Sequence, residues 1–308
     1  PKAEYQAQRT GSGETQYDML RRLELDEAAH LRLVAECRNY AIEFLSTAFD
    51  EDSVDLLVRL GVGRMKVPSG EITNGPLLLR MARTGLPVIM STGMSTLDEI
   101  ADALAVFAWV ADHPEPPPSL AVLRAAFADG GREALRGRVY LLHCTTAYPA
   151  PPESINLKAM DTLAKGFGLP VGFSDHSVGI TLPLAAVARG AVVIEKHFTL
   201  DRTLPGPDHA ASVEPEELAA MVAGIRMIER ALGDGQKGPT VAEAANVAVA
   251  RRGLVASRPI AAGQQVLPQD IAVLRPALGA CPMEYWDYVG QPAPQACAAG
   301  APILWRKR

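Results

Sequence analysis

Short β-branched or aliphatic runs alternate with amphipathic stretches along most of this chain, and that alternation restricts the possible folds more than any other feature. The runs are Ile42–Phe49, Arg64–Ser69, Pro87–Met94, Val139–Thr146, Pro170–His176 and Ala191–Phe198. Around them, periodicity predicts helices over Asp26–Tyr40, Ser53–Leu60, Gly75–Thr84, Thr96–Trp109, Ser154–Lys165, Gly179–Arg189 and Glu214–Leu232. Thr96 followed by Glu99 has the spacing of a capping box. Alternation at this pitch calls for a parallel sheet with helices outside, because parallel strands need crossover connections. A doubly wound sheet wants a glycine-rich phosphate turn after its first strand, and none is present. The expected fold class is α/β, a (β/α)8 TIM-type barrel with its chemistry at the C-terminal ends of the strands.

Six such runs fall short of the eight staves that close a barrel, and an open barrel exposes edges and core. The chain also starts at Pro1 with a polar stretch. The expectation is that the first one or two βα units lie upstream of Pro1, rather than that six staves make the fold. The barrel domain is assigned to 1–232. Within it, 111–138 is long and proline-rich and reads as a surface insertion with one short helix. Residues 233–250 read as a linker containing a weak helix. Residues 251–308 carry short strand-like pieces (GLVAS, IAVL, PILW) among many Gly and Pro, and read as a compact β-rich domain.

Composition excludes other classes. Of 308 residues, 48% are hydrophobic and the net charge is −5, whereas a nucleic-acid or membrane-surface binder would carry a basic excess. No apolar run is long enough to cross a bilayer, and no signal peptide is evident. Four scattered cysteines (Cys37, Cys144, Cys281 and Cys297) without a CxxC read as reduced thiols, so the expected compartment is the cytoplasm.

The strand ends hold a consistent set of polar residues: Thr47; Lys66, Ser69 and Glu71; Ser91 and Thr92; His143, Thr145, Thr146 and Tyr148; Ser174, Asp175 and His176; Glu195, Lys196 and His197. A lysine among hydroxyls suits a phosphate, the ammonium supplying charge and the hydroxyls hydrogen bonds. Two histidines on neighbouring strands, His176 and His197, can share one divalent ion whose open positions are left for substrate and water. His143 reads as a structural histidine. Glu195 and Lys196 can also be read as a buried pair, and Glu71 and Asp208 as turn residues. Spacing alone thus gives a barrel enzyme that binds a phosphate and a divalent metal.

The same residues resemble a known family. FLSTAFD, KVPSGEITN, PVIMSTGM, LLHCTTAYPAP, GFSDHSVG, IEKHFTLDRTLPGPDH and RRGLVASRPIAAGQQV…LRP are similar to motifs of the bacterial sialic acid synthases, including the N-acetylneuraminate, N,N'-diacetyllegionaminate and pseudaminate enzymes. The resemblance implies a barrel followed by a small antifreeze-like (SAF) domain. It also implies a reaction in which phosphoenolpyruvate, an N-acylated hexosamine and water give a nine-carbon α-keto acid and phosphate. The sugar would be N-acetylmannosamine or a 2,4-diacetamido-6-deoxy hexose. By the same resemblance, His176 and His197 hold a divalent metal, Mn2+ with Mg2+ or Co2+ as alternatives. Lys66, Ser69, Thr47, Ser91, Ser174 and Tyr148 surround phosphoenolpyruvate. Thr146, where some relatives carry Asn, bears on ligand contacts. Glu71 and Asp208 hold sugar hydroxyls, and Lys66, Glu71, His176 and His197 form the catalytic set. Arg275 reaches the N-acyl group in a domain-swapped homodimer.

The family's first strand carries AEIGVNHNG-like residues and its second KFQ. Neither is found here, so a glutamate near the reacting centre and a phosphate-binding lysine are expected upstream. Two other readings compete: a non-catalytic barrel scaffold with a binding SAF domain, and an aldolase that uses Lys66 as a Schiff base, which would need an apolar setting.

Overall fold

The computed structural model describes residues 2, 4–11, 13, 15–113 and 115–305. Pro114 of the insertion and Arg306, Lys307 and Arg308 of the C-terminal domain therefore lie outside the described residues. The chain divides into two compact units, Pro1–Gly233 and Asp234–Arg308.

In the first unit, helices α1 (Glu4–Thr10), α2 (Gln16–Leu23), α3 (Glu27–Asn39) and α4 (Glu51–Leu60) precede the first strand. Strands and helices then alternate: β1 (Met65–Val67), α5 (Gly75–Arg83), β2 (Val88–Ser91), α6 (Leu97–Asp112), α7 (Leu120–Ala126), β3 (Val139–Cys144), α8 (Ala159–Phe167), β4 (Val171–Asp175), α9 (Thr181–Ala188), β5 (Ile194–Lys196) and α10 (Pro215–Ala231). The strands form one parallel sheet of order β1-β2-β3-β4-β5. Every residue of β1, β2 and β4 is buried, as strands covered on both faces require. The expected alternation is therefore realised as an open, barrel-like parallel sheet. Helix starts follow local chemistry. Asp50 and Asn74 cap α4 and α5, and Thr96 with Glu99 closes the expected capping box on α6.

Three sequence expectations are corrected. Ile42–Phe49 is not a strand, so five strands form where six were expected. Ala41 has φ +54°, and the Ile42 amide bonds back to the Cys37 carbonyl at 2.9 Å, closing the end of α3 instead of joining a ladder. The helix expected from Ser154 begins at Ala159, because Asn156 sits at φ +49°, which a right-handed helix cannot contain. The segment 111–138 is more than a surface insertion. Leu123, Phe127 and Leu135 are buried in the main core, and Arg124 grips Asp102 of α6 through two bonds of 2.6 and 2.7 Å.

The sheet is strongly curled. Lys66 on β1 and Glu195 on β5 occupy its two outermost strands, yet their charged atoms lie 3.5 Å apart. The strands therefore bend round a common interior, and their inward side chains converge. Alternation along β4 and β5 then sorts side chains by face. Ser174 and Glu195 are cross-strand partners on the inner face, and the next pair, Asp175 and Lys196, points the other way. There the Lys196 ammonium meets the Asp175 carboxylate at 2.6 Å with both side chains at most 2% exposed, and it also donates to the Ser177 carbonyl. Asp175 accepts the Ser177 amide at 2.9 Å.

In the second unit, α11 (Val241–Ala250) precedes an antiparallel pair, β6 (Gly253–Ala256) and β7 (Ile271–Leu274), and α12 (Tyr285–Tyr288) follows. PILW contributes a single bridge, Pro302 to Val255. Leu254, Ile260, Val266, Ile271, Tyr288 and Ile303 form a separate small core. Among the described residues no helix is long and apolar enough to cross a membrane.

Removing one member of the buried β4–β5 pair leaves a charge without a partner. Lys196→Met is expected to cost roughly 3–5 kcal/mol in urea unfolding, and pairing it with Asp175→Leu to recover most of that. A loss below about 1 kcal/mol in the single variant would contradict the pair's role.

Candidate active site

Lys66 stands near the C-terminal end of β1 with its side chain turned inward and only 6% exposed. Its ammonium donates to Ser91 Oγ at 2.8 Å, to the Val67 carbonyl at 3.2 Å, and faces Glu195. Ser174 donates to the other Glu195 oxygen at 2.6 Å. One carboxylate thus gathers a lysine from β1 and a serine from β4. Glu195 is the residue that the sequence reading left out of the site. Neighbours on a strand face opposite ways, so Glu195 and Lys196 cannot pair with each other as one reading had them. Each takes a partner on its own face.

Two residues beyond Ser174 and Glu195, the inner face returns at His176 and His197, just past the strand ends. Their ring centroids are 5.3 Å apart, and Tyr148 lies 4.2 Å from the first and 5.6 Å from the second. His176 Nδ1 is 2.8 Å from the Thr145 carbonyl. A carbonyl only accepts, so Nδ1 carries the proton and Nε2 keeps a lone pair. Burial pushes the His176 pKa below the ordinary imidazole value. The Thr145 carbonyl opposes that shift, and the neighbouring His197 reinforces it. Asp208 Oδ2 lies 3.9 Å from His197 Nδ1, while its Oδ1 is buried with no hydrogen-bond partner.

A third group surrounds Gly93. Its amide donates to Ser69 Oγ at 3.0 Å, and Ser69 Oγ touches Cys144 Sγ at 3.1 Å. A Cβ on Gly93 would fall 2.5 Å from Thr146 Oγ1, 2.7 Å from Cys144 Sγ and 2.8 Å from Ser69 Oγ, so only glycine fits. Burial pushes the Cys144 thiol up, which keeps it a neutral neighbour of Ser69. Cys144 lies opposite Ser174, and His176 and His197 follow Ser174 and Glu195 by two residues on their strands, so all of them share the inner face with the Lys66–Glu195 contact.

The remaining assignments are more dispersed. Glu71 lies on a single turn of 3-10 helix after β1, its carboxylate held by the Asn74 amide at 2.7 Å. Thr47 sits half-buried in coil. Arg275 follows β7 in the second unit and is exposed. His143 Nε2 donates to the Ile155 carbonyl at 2.6 Å, a contact to the backbone.

The donor set suits a divalent metal. Two imidazoles face one space, one of them with its tautomer fixed so that a nitrogen lone pair is free. Among the described residues no group of three or more His, Cys, Asp or Glu is placed to hold a metal ion, so the two imidazoles are the donors on offer.

The model of the NeuB family matches residues 1–237, and that of the SAF domain matches residues 251–307. An N,N'-diacetyllegionaminic acid synthase of Legionella pneumophila is 44% identical over 304 residues, 99% of this chain and 80% of that protein. Its namesake in Campylobacter jejuni is 44% identical over 290 residues, 94% of this chain and 80% of that one. The crystal structure of N-acetylneuraminic acid (sialic acid) synthetase from Leptospira borgpetersenii, in complex with citrate, superposes with a TM-score of 0.64 at 33% identity, covering 79% of this chain and 76% of that one.

A depressed imidazole pKa has a definite sign in stability. The folded His176 resists a proton that the unfolded chain takes up near pH 6.5, so stability present above that pH is lost as pH falls through it. His176→Gln is expected to reduce the drop in urea midpoint between pH 7.5 and 5.5. An unchanged drop would place the acid sensitivity elsewhere.

Proposed function

The chain belongs to the NeuB family, and on that premise we propose that it condenses phosphoenolpyruvate with an N-acylated hexosamine and water to give a nine-carbon α-keto acid and phosphate. What supports this reading is that His176 and His197 approach each other two residues beyond Ser174 and Glu195, on the strand face that meets Lys66. That arrangement sets an electrophile-activating group beside an anion hook. Identity to the N,N'-diacetyllegionaminic acid synthases favours a 2,4-diacetamido-6-deoxy hexose over N-acetylmannosamine as the sugar.

His176 and His197 are the residues that would hold a divalent ion, Mn2+ before Mg2+ or Co2+, which when bound supplies Lewis-acid polarisation of the sugar's open-chain aldehyde. The Thr145 carbonyl orients the His176 ring. Tyr148 lies against both imidazoles and keeps water off that side. Lys66 binds the phosphate by charge, and Ser91, Ser174, Ser69 and Thr146 offer hydroxyls around it, with Thr47 assigned there by resemblance. Held in this way, the enol carbon of phosphoenolpyruvate faces the aldehyde carbon, and fixing both substrates removes much of the entropic barrier. Bond formation leaves a cationic pyruvyl C2, water adds there, and collapse with C–O cleavage expels phosphate. Lys66 neutralises the departing charge.

Asp208, whose Oδ2 stands 3.9 Å from His197 Nδ1, takes a sugar hydroxyl by resemblance. By resemblance Glu71 takes the same role, and Arg275 reaches the N-acyl group in the site of a second copy of the chain, as in a domain-swapped homodimer. A Schiff-base role for Lys66 is disfavoured. A carboxylate stands 3.5 Å from its nitrogen, whereas such a lysine needs an apolar setting. A bare scaffold has no use for a buried lysine held by a serine and a carboxylate, which costs desolvation.

Phosphate release should be measured with phosphoenolpyruvate, Mn2+ and each sugar in turn. Release with the diacetamido sugar is expected, and no release with any amino sugar would overturn the assignment. His197→Ala is expected to lower turnover at least about a hundredfold, roughly 2.7 kcal/mol of barrier, and to abolish the response to added Mn2+ without shifting the melting temperature by more than a few degrees. Unchanged activity would remove His197 from the site.

A further inference from the structure

Glu195 is placed where a carboxylate is least welcome for an anion-binding site. Its Oε2 lies 3.5 Å from the Lys66 ammonium, the same group that the phosphate reading assigns to the substrate, and its Oε1 takes the Ser174 hydroxyl at 2.6 Å. Both donors belong to the proposed phosphate set, and both already point at this one side chain. Lys196, the next cation along β5, is held on the opposite face by Asp175 and gives no second positive charge to the mouth. Unlike that pair, Glu195 is not sealed in, since its side chain is 40% exposed toward the mouth. It can therefore yield to an incoming ligand, whereas Asp175 cannot.

We infer that Glu195 is the internal counter-ion of the anion subsite: it faces the charge of Lys66 and takes the hydrogen bond of Ser174 while the site is empty, and competes for both with the phosphate of substrate and product. This rests on the phosphate reading of Lys66 and deepens it. A buried ammonium without a counter-charge is costly, so the partner keeps Lys66 extended into the mouth between turnovers. The same negative charge repels a bound phosphate at close range and keeps the product from being trapped. Glu195 is thus a positioning residue that sets the affinity of the subsite by opposing it.

The test is binding of inorganic phosphate, followed by calorimetry on the full chain, in wild type and in Glu195→Gln, Glu195→Asp and Lys66→Met. Glutamine keeps an acceptor for Ser174 and removes only the charge, so the fold is retained and is checked by melting temperature. Glu195→Gln is expected to bind phosphate about three- to tenfold more tightly than wild type. Glu195→Asp, which restores the charge, is expected to return the dissociation constant to within about twofold, and Lys66→Met to lose binding. Phosphate affinity in Glu195→Gln equal to or weaker than wild type, with Lys66→Met still defective, would overturn the counter-ion inference alone. Absence of saturable phosphate binding in wild type would overturn the phosphate reading of Lys66 and the inference with it.

Discussion

The register between β4 and β5 is the constraint on which the site depends. Ser174 lies opposite Glu195, and Asp175 opposite Lys196. Because side chains alternate faces, this one alignment places Ser174 and Glu195 inward, Asp175 and Lys196 outward, and His176 and His197 inward again about 6.6 Å further along. A slip of β5 by one residue would turn Glu195, Lys196 and His197 to the wrong face relative to β4. The buried Asp175–Lys196 ion pair resists that slip, since in any other register it leaves two charges unpaired away from water. The fold has accepted an expensive buried pair, and what it fixes is the spacing of two imidazoles.

Curvature of the sheet does the rest. A flat sheet of five strands would hold β1 and β5 about 19 Å apart. The contact between Lys66 and Glu195 shows that they meet across the interior. Inward side chains from β1, β2, β4 and β5 therefore share one mouth, and the loop after β3 adds Thr146 and Tyr148. Gly93 lets three of these side chains approach its backbone where any Cβ would collide. Two rungs result on the concave face: a lysine, hydroxyl and carboxylate rung suited to an anion, and an imidazole rung suited to a metal. A reaction that joins a phosphate-bearing enol to an aldehyde needs the two side by side.

Much of this was legible in the chain. Strand ends rich in Lys, Ser and His were marked by the alternation itself, because a barrel concentrates chemistry there. What was not legible depends on tertiary geometry. Ile42–Phe49 has strand-like composition, but a positive φ at Ala41 and a bond from Ile42 back to Cys37 turn it into coil. The partner of Lys66 could not be read locally, because Glu195 is 129 residues away and reaches it only through curvature. The separation of Glu195 from Lys196 could have been found, since adjacent strand residues never face the same partner. The apolar stripe Leu123, Phe127 and Leu135 also had helical spacing that pointed to burial, and the neighbouring prolines obscured it.

The central proposal is that the imidazoles of His176 and His197 and the ammonium of Lys66 serve one substrate pair in one mouth. Diffraction at the manganese absorption edge, from crystals grown with Mn2+ and phosphoenolpyruvate, tests it directly. The account expects an anomalous peak shared by His176 Nε2 and the His197 ring, with the phosphate in ion-pair contact with Lys66 Nζ. Manganese bound away from both histidines, or phosphate density remote from Lys66, would contradict it.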